Sequence, residues 1–202
     1  MNVDKKISRT SKKSQEAILL AGEKLLLSGN VNLINAENLS KQSGYSIGNI
    51  YHHFKSLDQV FIKIFLKKRL DIFLELVDEI NKFPKNKSCE ELCKILVNKS
   101  FERANKLKIK VLQYIFKIML TKSEEPEKIN LIIDVLIEPL IECRKRNKTN
   151  SFREIENDEM QLLLRSLQAF IRSPFLENQS IAGTVLHREL TLNLCQKLFS
   201  IK

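Results

Sequence analysis

Apolar residues recur at intervals of three and four along almost the whole chain, which is the period of an amphipathic helix. The pattern predicts helices at about 11–28, 35–43, 47–53, 57–82, 89–106, 108–121, 125–146, 157–172 and 180–199. Breaks fall at residues 83–87, 121–126, 147–155 and 173–178, which are polar or carry a proline. Pro139 sits inside an otherwise continuous apolar pattern from Ile129 to Cys143. Its missing amide hydrogen and its ring should kink that helix. Glycine (5) and proline (4) are sparse, and neither Asn-Gly nor Asp-Gly occurs, so no hairpin is signalled and the expected fold class is all-α. Two helix starts carry a capping-box pattern, Ser56 with Gln59 and Ser88 with Glu91.

Within this series the short helices before the long one at 57–82 have the spacing of a helix-turn-helix. Leu39 falls on the inner face of its helix, Ser40 is small enough for a close crossing, and Gly44 can take the left-handed conformation a sharp turn needs. Ile50 and Phe54 lie one turn apart on the inner face of the next helix. Ile47, Gly48, Asn49 and His52 are then left on the outer face, where the N-terminal part of a recognition helix meets base edges.

Composition narrows the classes. Hydrophobic residues make up 43% of the 202 and charged ones 29%, too apolar for a disordered chain and too mixed for a membrane protein. The longest apolar run, Ile109 to Leu120, contains Lys110 and Lys117 and is far short of the roughly 20 residues a bilayer requires. The first residues hold charge without the apolar run of a secretory signal, so the expected location is the cytoplasm. Cys89, Cys93, Cys143 and Cys195 are too scattered for a disulfide framework and are expected as free thiols. Cys89 and Cys93 lie one turn apart, but no third ligand is near in sequence, so no metal is expected. Lys plus Arg exceed Asp plus Glu by 34 to 24, a formal +10. Residues 1–70 hold 12 basic and 5 acidic residues, against 22 and 19 in the rest. A basic head on a nearly neutral body points to a polyanionic partner, double-stranded DNA above all.

The stretch Gly44-Tyr-Ser-Ile-Gly-Asn-Ile-Tyr-His-His-Phe54 with Ser56 resembles the TetR family of transcriptional regulators. Gly44, Ser46, Gly48, Tyr51, His53, Phe54 and Ser56 match the family's signature outright, while Leu39, Ser40, Tyr45 and Ile50 are conservative replacements. The resemblance covers about residues 12–65. It implies a three-helix DNA-binding domain at 1–56 and a helical effector-binding and dimerisation domain at 57–202, about nine helices in all. It also implies that Tyr51 and His53 contact DNA phosphates, roles that a phenol and an imidazole can fill as hydrogen-bond donors. Asn49 could pair with an adenine edge, Ile47 with a thymine methyl and Glu37 with cytosine N4, and Asn35 lies beside Glu37 at the start of the same helix. The lysine that usually follows Ser56 is Leu57 here. Lys55, Lys41 and a basic cluster of Lys5, Lys6, Arg9, Lys12 and Lys13, pictured as an arm, are the available substitutes.

By the same resemblance the middle helices enclose a small apolar effector, with Phe65, Phe101, Tyr114, Phe116 and Met119 as candidate lining residues; core packing is the alternative for each. Arg103, Lys106 and Lys110 read as solvated surface, with an anionic head group as their alternative partner. His187 reads as a helix-face residue. The last two helices are apolar over more than one face, and Leu163, Leu167, Phe170, Leu186, Leu190 and Leu194 are the candidates for a homodimer interface. A twofold dimer sets two recognition helices about 34–36 Å apart or a multiple of it, hence a palindromic operator. The function expected is a ligand-responsive repressor without enzyme activity, since no catalytic triad or phosphate loop is visible. The alternative is a helical interaction module that has lost specific DNA binding.

Overall fold

The structure, a computed structural model, describes residues 2–104 and 108–201, with side chains from residue 11 onward and excluding residue 104. Lys5, Lys6, Arg9 and Lys106 as side chains therefore lie outside the described residues. The described chain is helical throughout, with no strand and a single isolated bridge between Phe152 and Ser200. The helices are α1 Asn2–Ser28, α2 Ala36–Ser43, α3 Ile47–His53, α4 Leu57–Lys82, α5 Cys89–Ala104, α6 Ile109–Lys122, α7 Lys128–Leu131, α8 Ile137–Arg146, α9 Asn157–Leu176 and α10 Val185–Phe199. Short 3-10 turns at Val31–Leu33 and Ile132–Leu136 complete them. The stretch expected as a basic arm is taken into α1.

Contacts divide the chain elsewhere than at the expected 56/57 boundary. The first compact unit comprises residues 1–67 and 107–126, the second 68–106 and 127–202. The first eleven residues of α4, together with α6, thus belong with the helix-turn-helix. Apolar burial explains this: Val60, Phe61, Ile64 and Phe65 of α4 and Val111, Ile115, Phe116 and Met119 of α6 share the first unit's interior with Ile18 and Leu25 of α1. Gly22 lets α1 approach α4 closely, for a Cβ there would stand 2.7 Å from Ile64 Cδ1.

Each capping pattern forms in one of its two halves. Ser56 Oγ accepts from the Gln59 amide at 3.2 Å, but the Gln59 side chain donates to the Lys122 carbonyl at 3.3 Å and does not turn back. At the other start the Glu91 carboxylate accepts from the Ser88 amide at 3.0 Å, and Ser151 Oγ accepts from the Cys89 amide at 2.8 Å. The expected helix at 125–146 is three segments. Pro139 cannot supply an N–H to the preceding turn, and the chain ahead of it tightens into the 3-10 segment, leaving the proline in the first turn of α8, where no donor is required.

Pro174 departs from expectation in the opposite sense. It lies inside α9, which runs on to Leu176 rather than ending at 172. A proline there leaves the Phe170 carbonyl without its helical donor, and His187 of α10 takes that place with Nε2 at 3.2 Å. Gly183 N–H donates to His187 Nδ1 at 3.2 Å, which makes Nε2 the protonated nitrogen and therefore the donor to Phe170. His187 is thus a buried core residue ringed by Phe101, Phe170 and Phe175, not a helix-face residue. The second unit's core joins Phe73, Leu76 and Ile80 of α4 to α5, α8, α9 and α10, and includes all four cysteines as buried free thiols.

Candidate nucleic-acid interface

The first unit builds its helix-turn-helix from backbone-capping side chains. Asn35 caps α2, its Oδ1 accepting from the Asn38 amide at 2.9 Å, so the residue expected beside DNA has a structural task of its own. Gly44 ends α2 in the left-handed conformation with φ of 75° and donates to the Ser40 carbonyl. Ser40 Oγ donates across the turn to the Tyr45 carbonyl at 2.7 Å. Ser46 then caps α3 by accepting from the Asn49 amide at 3.2 Å. Leu39, Ile50 and Phe54 are buried as the spacing requires, and this burial orients both helices.

The opposite side of α3 is open. Ile47 and Tyr51 are 39% and 46% exposed, and Gly48 and His52 are exposed as well. A Cβ at Gly48 would meet nothing nearer than Ser46 Oγ at 4.0 Å, so the backbone there is accessible to a close neighbour. Glu37 stands exposed in the first turn of α2. Lys12, Lys13 and Lys41 are exposed too.

Three of the expected DNA contacts are placed differently. Asn49 is half-buried, and its Oδ1 is buried with no hydrogen-bond partner among the described residues, so it does not present its whole amide outward. His53 is half-buried with Nε2 2.6 Å from Ser14 Oγ of α1, whose hydroxyl donates to the Ser11 carbonyl at 2.9 Å. The ring's edge is therefore spent in fixing α3 against α1. Lys55 is exposed but pairs with Glu124 at 2.7 Å, and each partner favours the other's charged form: Glu124 raises the Lys55 ammonium and Lys55 lowers the carboxyl. None of these engagements was visible in the sequence, because Ser14 and Glu124 come from distant parts of the chain.

The five candidate effector-lining residues do not gather in one unit. Phe65, Tyr114, Phe116 and Met119 lie in the first, where Phe65 and Phe116 meet edge to face at 5.3 Å and Met119 is fully buried. Tyr114 donates to Asp58 at 3.3 Å, and burial followed by that carboxylate pushes its phenol up to about 12. Phe101 lies in the second unit against His187, with ring centroids 4.8 Å apart. Arg103 is held by Glu75 and is not open to a head group, while Lys110 is exposed as expected. Of the dimer candidates, Leu163 and Leu167 are partly buried against the second unit's core. Phe170, Leu186 and Leu190 are exposed, and Leu194 is intermediate.

The described chain is all-helical and is headed by a capped helix-turn-helix whose second helix keeps an open outer face. No family model matches the sequence, and no curated protein matches it significantly. Solved structures do. A TetR transcriptional regulator from Rhodococcus sp. RHA1 matches with a TM-score of 0.63 and 10% identity over 93% of this chain and 96% of that one. FadR from Bacillus subtilis, solved with stearoyl-CoA, matches with 0.59 and 15% identity over 89% and 96%. SmeT, the repressor of the Stenotrophomonas maltophilia multidrug efflux pump SmeDEF, matches with 0.57 and 17% identity over 93% and 91%. The chain has the fold of TetR-family regulators along nearly its full length. No helix among the described residues is long and apolar enough to cross a membrane.

Proposed function

We propose that this chain is a TetR-family transcriptional regulator that binds a palindromic operator as a homodimer and is released by a small-molecule effector. The observation that carries the reading is the open face of α3: Ile47, Gly48, Tyr51 and His52 are accessible while Leu39, Ile50 and Phe54 hold the helix-turn-helix from beneath. Tyr51 is the leading phosphate donor. His53 acts mainly by positioning α3 through Ser14, and Lys55 reaches phosphate on leaving Glu124. Val185, Leu186 and Leu190 of α10, at 60%, 55% and 42% exposure, with Phe170 of α9, supply the apolar face that a second copy would cover. The effector is expected in the body, as FadR holds stearoyl-CoA and SmeT represses an efflux pump. Regulation then follows from an effector that prefers the conformation unable to hold both half-sites.

Selection of bound sequences from random duplex DNA tests this reading. An enriched palindrome whose binding weakens steeply with salt is the expected result. Absence of any enriched sequence favours a protein-interaction module instead, a reading to which Leu57 at the start of α4 and the capture of Lys55 by Glu124 both lend weight.

A further inference from the structure

His53 closes α3 and ties it to α1 through two short contacts in series. Its Nε2 stands 2.6 Å from Ser14 Oγ, and the Ser14 hydroxyl donates to the Ser11 carbonyl at 2.9 Å. A serine has one hydroxyl hydrogen. With that hydrogen on the Ser11 carbonyl, Ser14 Oγ accepts from the ring, so Nε2 carries the proton and both contacts are hydrogen bonds. The other tautomer would ask the same hydrogen to serve two acceptors at once. Ser14 is 4% exposed, which keeps water from replacing either partner.

The neutral ring therefore leaves Nδ1 bare. That nitrogen has no hydrogen-bond partner among the described residues and is not one of their buried unpartnered polar atoms, so solvent reaches it. The neighbourhood is basic: Lys12 and Lys13 precede Ser14 on α1, His52 lies with its ring centroid 5.3 Å from that of His53, and Lys55 follows, all four exposed. A phosphate drawn to these groups meets a lone pair on the neutral ring where a donor is needed. One added proton reverses the encounter, because the imidazolium keeps Nε2–H on Ser14 and presents Nδ1–H, with its charge, to the phosphate. The other charged or titratable groups on the elements around His53 are Glu16 of α1, Glu37 and Lys41 of α2, Tyr45 between the two short helices, Tyr51 of α3, Asp58 at the start of α4 and Glu124 on Lys55. None of them hydrogen-bonds His53 among the described residues, and only His52 is of a type that gains a proton between about pH 5 and 8.

We propose that Ser14 is a positioning residue that fixes the charge state in which this protein holds DNA. By setting the Nε2–H tautomer it leaves His53 able to grip a backbone phosphate only as an imidazolium, so duplex binding takes up a proton at each subunit engaged. The inference rests on the regulator reading above and deepens it. Since the protonated ring binds the tighter, affinity is full on the acid side of the histidine's titration and is lost as pH rises through it. The added charge also steepens the salt dependence by about 1 per subunit at acid pH.

The test measures binding of the full chain to a mixed-sequence duplex of about 30 base pairs by fluorescence anisotropy from about pH 6 to 8, because phosphate contacts do not depend on sequence. The slope with pH, not the affinity itself, is the readout. The parent should lose affinity about tenfold across this range, the scale of one charge-assisted hydrogen bond. His52→Gln should keep that slope and His53→Gln should flatten it. Ser14→Ala should flatten it too, since the freed ring can carry its proton on Nδ1 and serve phosphate while neutral; a serine that only braced α3 would lower affinity equally at every pH. Nitrogen NMR of the free protein's imidazoles at about pH 8 should assign Nε2–H to His53 in the parent and a mixture of tautomers in Ser14→Ala. A flat parental profile, a parental slope in His53→Gln or Ser14→Ala, a slope lost in His52→Gln, or an Nδ1–H tautomer in the parent overturns the proposal. The two readings fail differently. Duplex binding without the slope removes only the proton linkage, whereas no binding to any duplex at any pH removes the regulator and the linkage together.

Discussion

Single side chains decide where this chain turns and where its helices meet. Gly44 is required by its conformation alone: nothing lies within 4 Å of where its Cβ would stand, so space is not the constraint. Gly44→Ala should cost about 1–2 kcal/mol in urea unfolding, the penalty of a left-handed residue with a Cβ. Pro174 and His187 form a coupled pair of another kind, because the proline creates the vacancy on the Phe170 carbonyl that the histidine fills. His187→Phe should destabilise by about 1–3 kcal/mol by leaving that part-buried carbonyl unmet. Adding Pro174→Ala should recover part of the loss, since alanine restores the helical amide. A double-mutant cycle with no coupling would show that the two act independently. The cysteines follow a simpler rule. Hydrogen bonding to Cys93 and burial push the Cys89 thiol up, and Cys93 and Cys143 are raised as well. All four are buried, so they should resist a thiol-exchange reagent in the native protein and react together on unfolding.

At the scale of elements, the helices that meet DNA can be tested by separating charge from hydrogen bonding. Tyr51→Phe removes a neutral donor and should weaken operator binding about fivefold to tenfold without changing the salt slope, whereas Lys55→Gln should lower the slope by about 1. Glu124→Gln should tighten binding about twofold to fivefold at low salt, because it frees Lys55 and removes a like charge to phosphate. These elements were largely legible in the sequence. The boundaries of α3 and α4 coincide with the expected ones, and Leu39, Ile50 and Phe54 are buried because periodicity alone specifies an inner face. What could not be read was contact between distant segments. Ser14 holding His53, Lys122 taking the Gln59 side chain, and Arg69 meeting Arg172 over α7 all depend on tertiary placement. The continuation of α9 through Pro174 has the same origin: local propensity argues for a break, and a histidine thirteen residues beyond the proline supplies the missing compensation only after the chain has folded back.

For the molecule as a whole, the exposed stripe on α10 is the feature a single chain leaves unexplained. Leu186 and Leu190 are exposed and Leu194 intermediate, the three recurring at four along one face, while the adjoining face, about 100° round the helix, carries the buried His187, Thr191 and Cys195. With the buried face turned to its own core, the adjoining leucine face is satisfied only by a partner. A twofold axis would bring the stripe against its own copy, so a substitution is felt twice in the same interface. Leu186→Glu with Leu190→Glu should therefore give a monomer by light scattering while the helical circular dichroism is kept, because both positions are solvent-exposed within the chain and the core beneath them is unaltered. Loss of the second copy would also abolish preference for a palindrome over a single half-site, leaving weak, salt-sensitive binding through one recognition helix. A dimer that persists with both glutamates in place would mean that the subunits meet elsewhere, and the stripe would then require another partner.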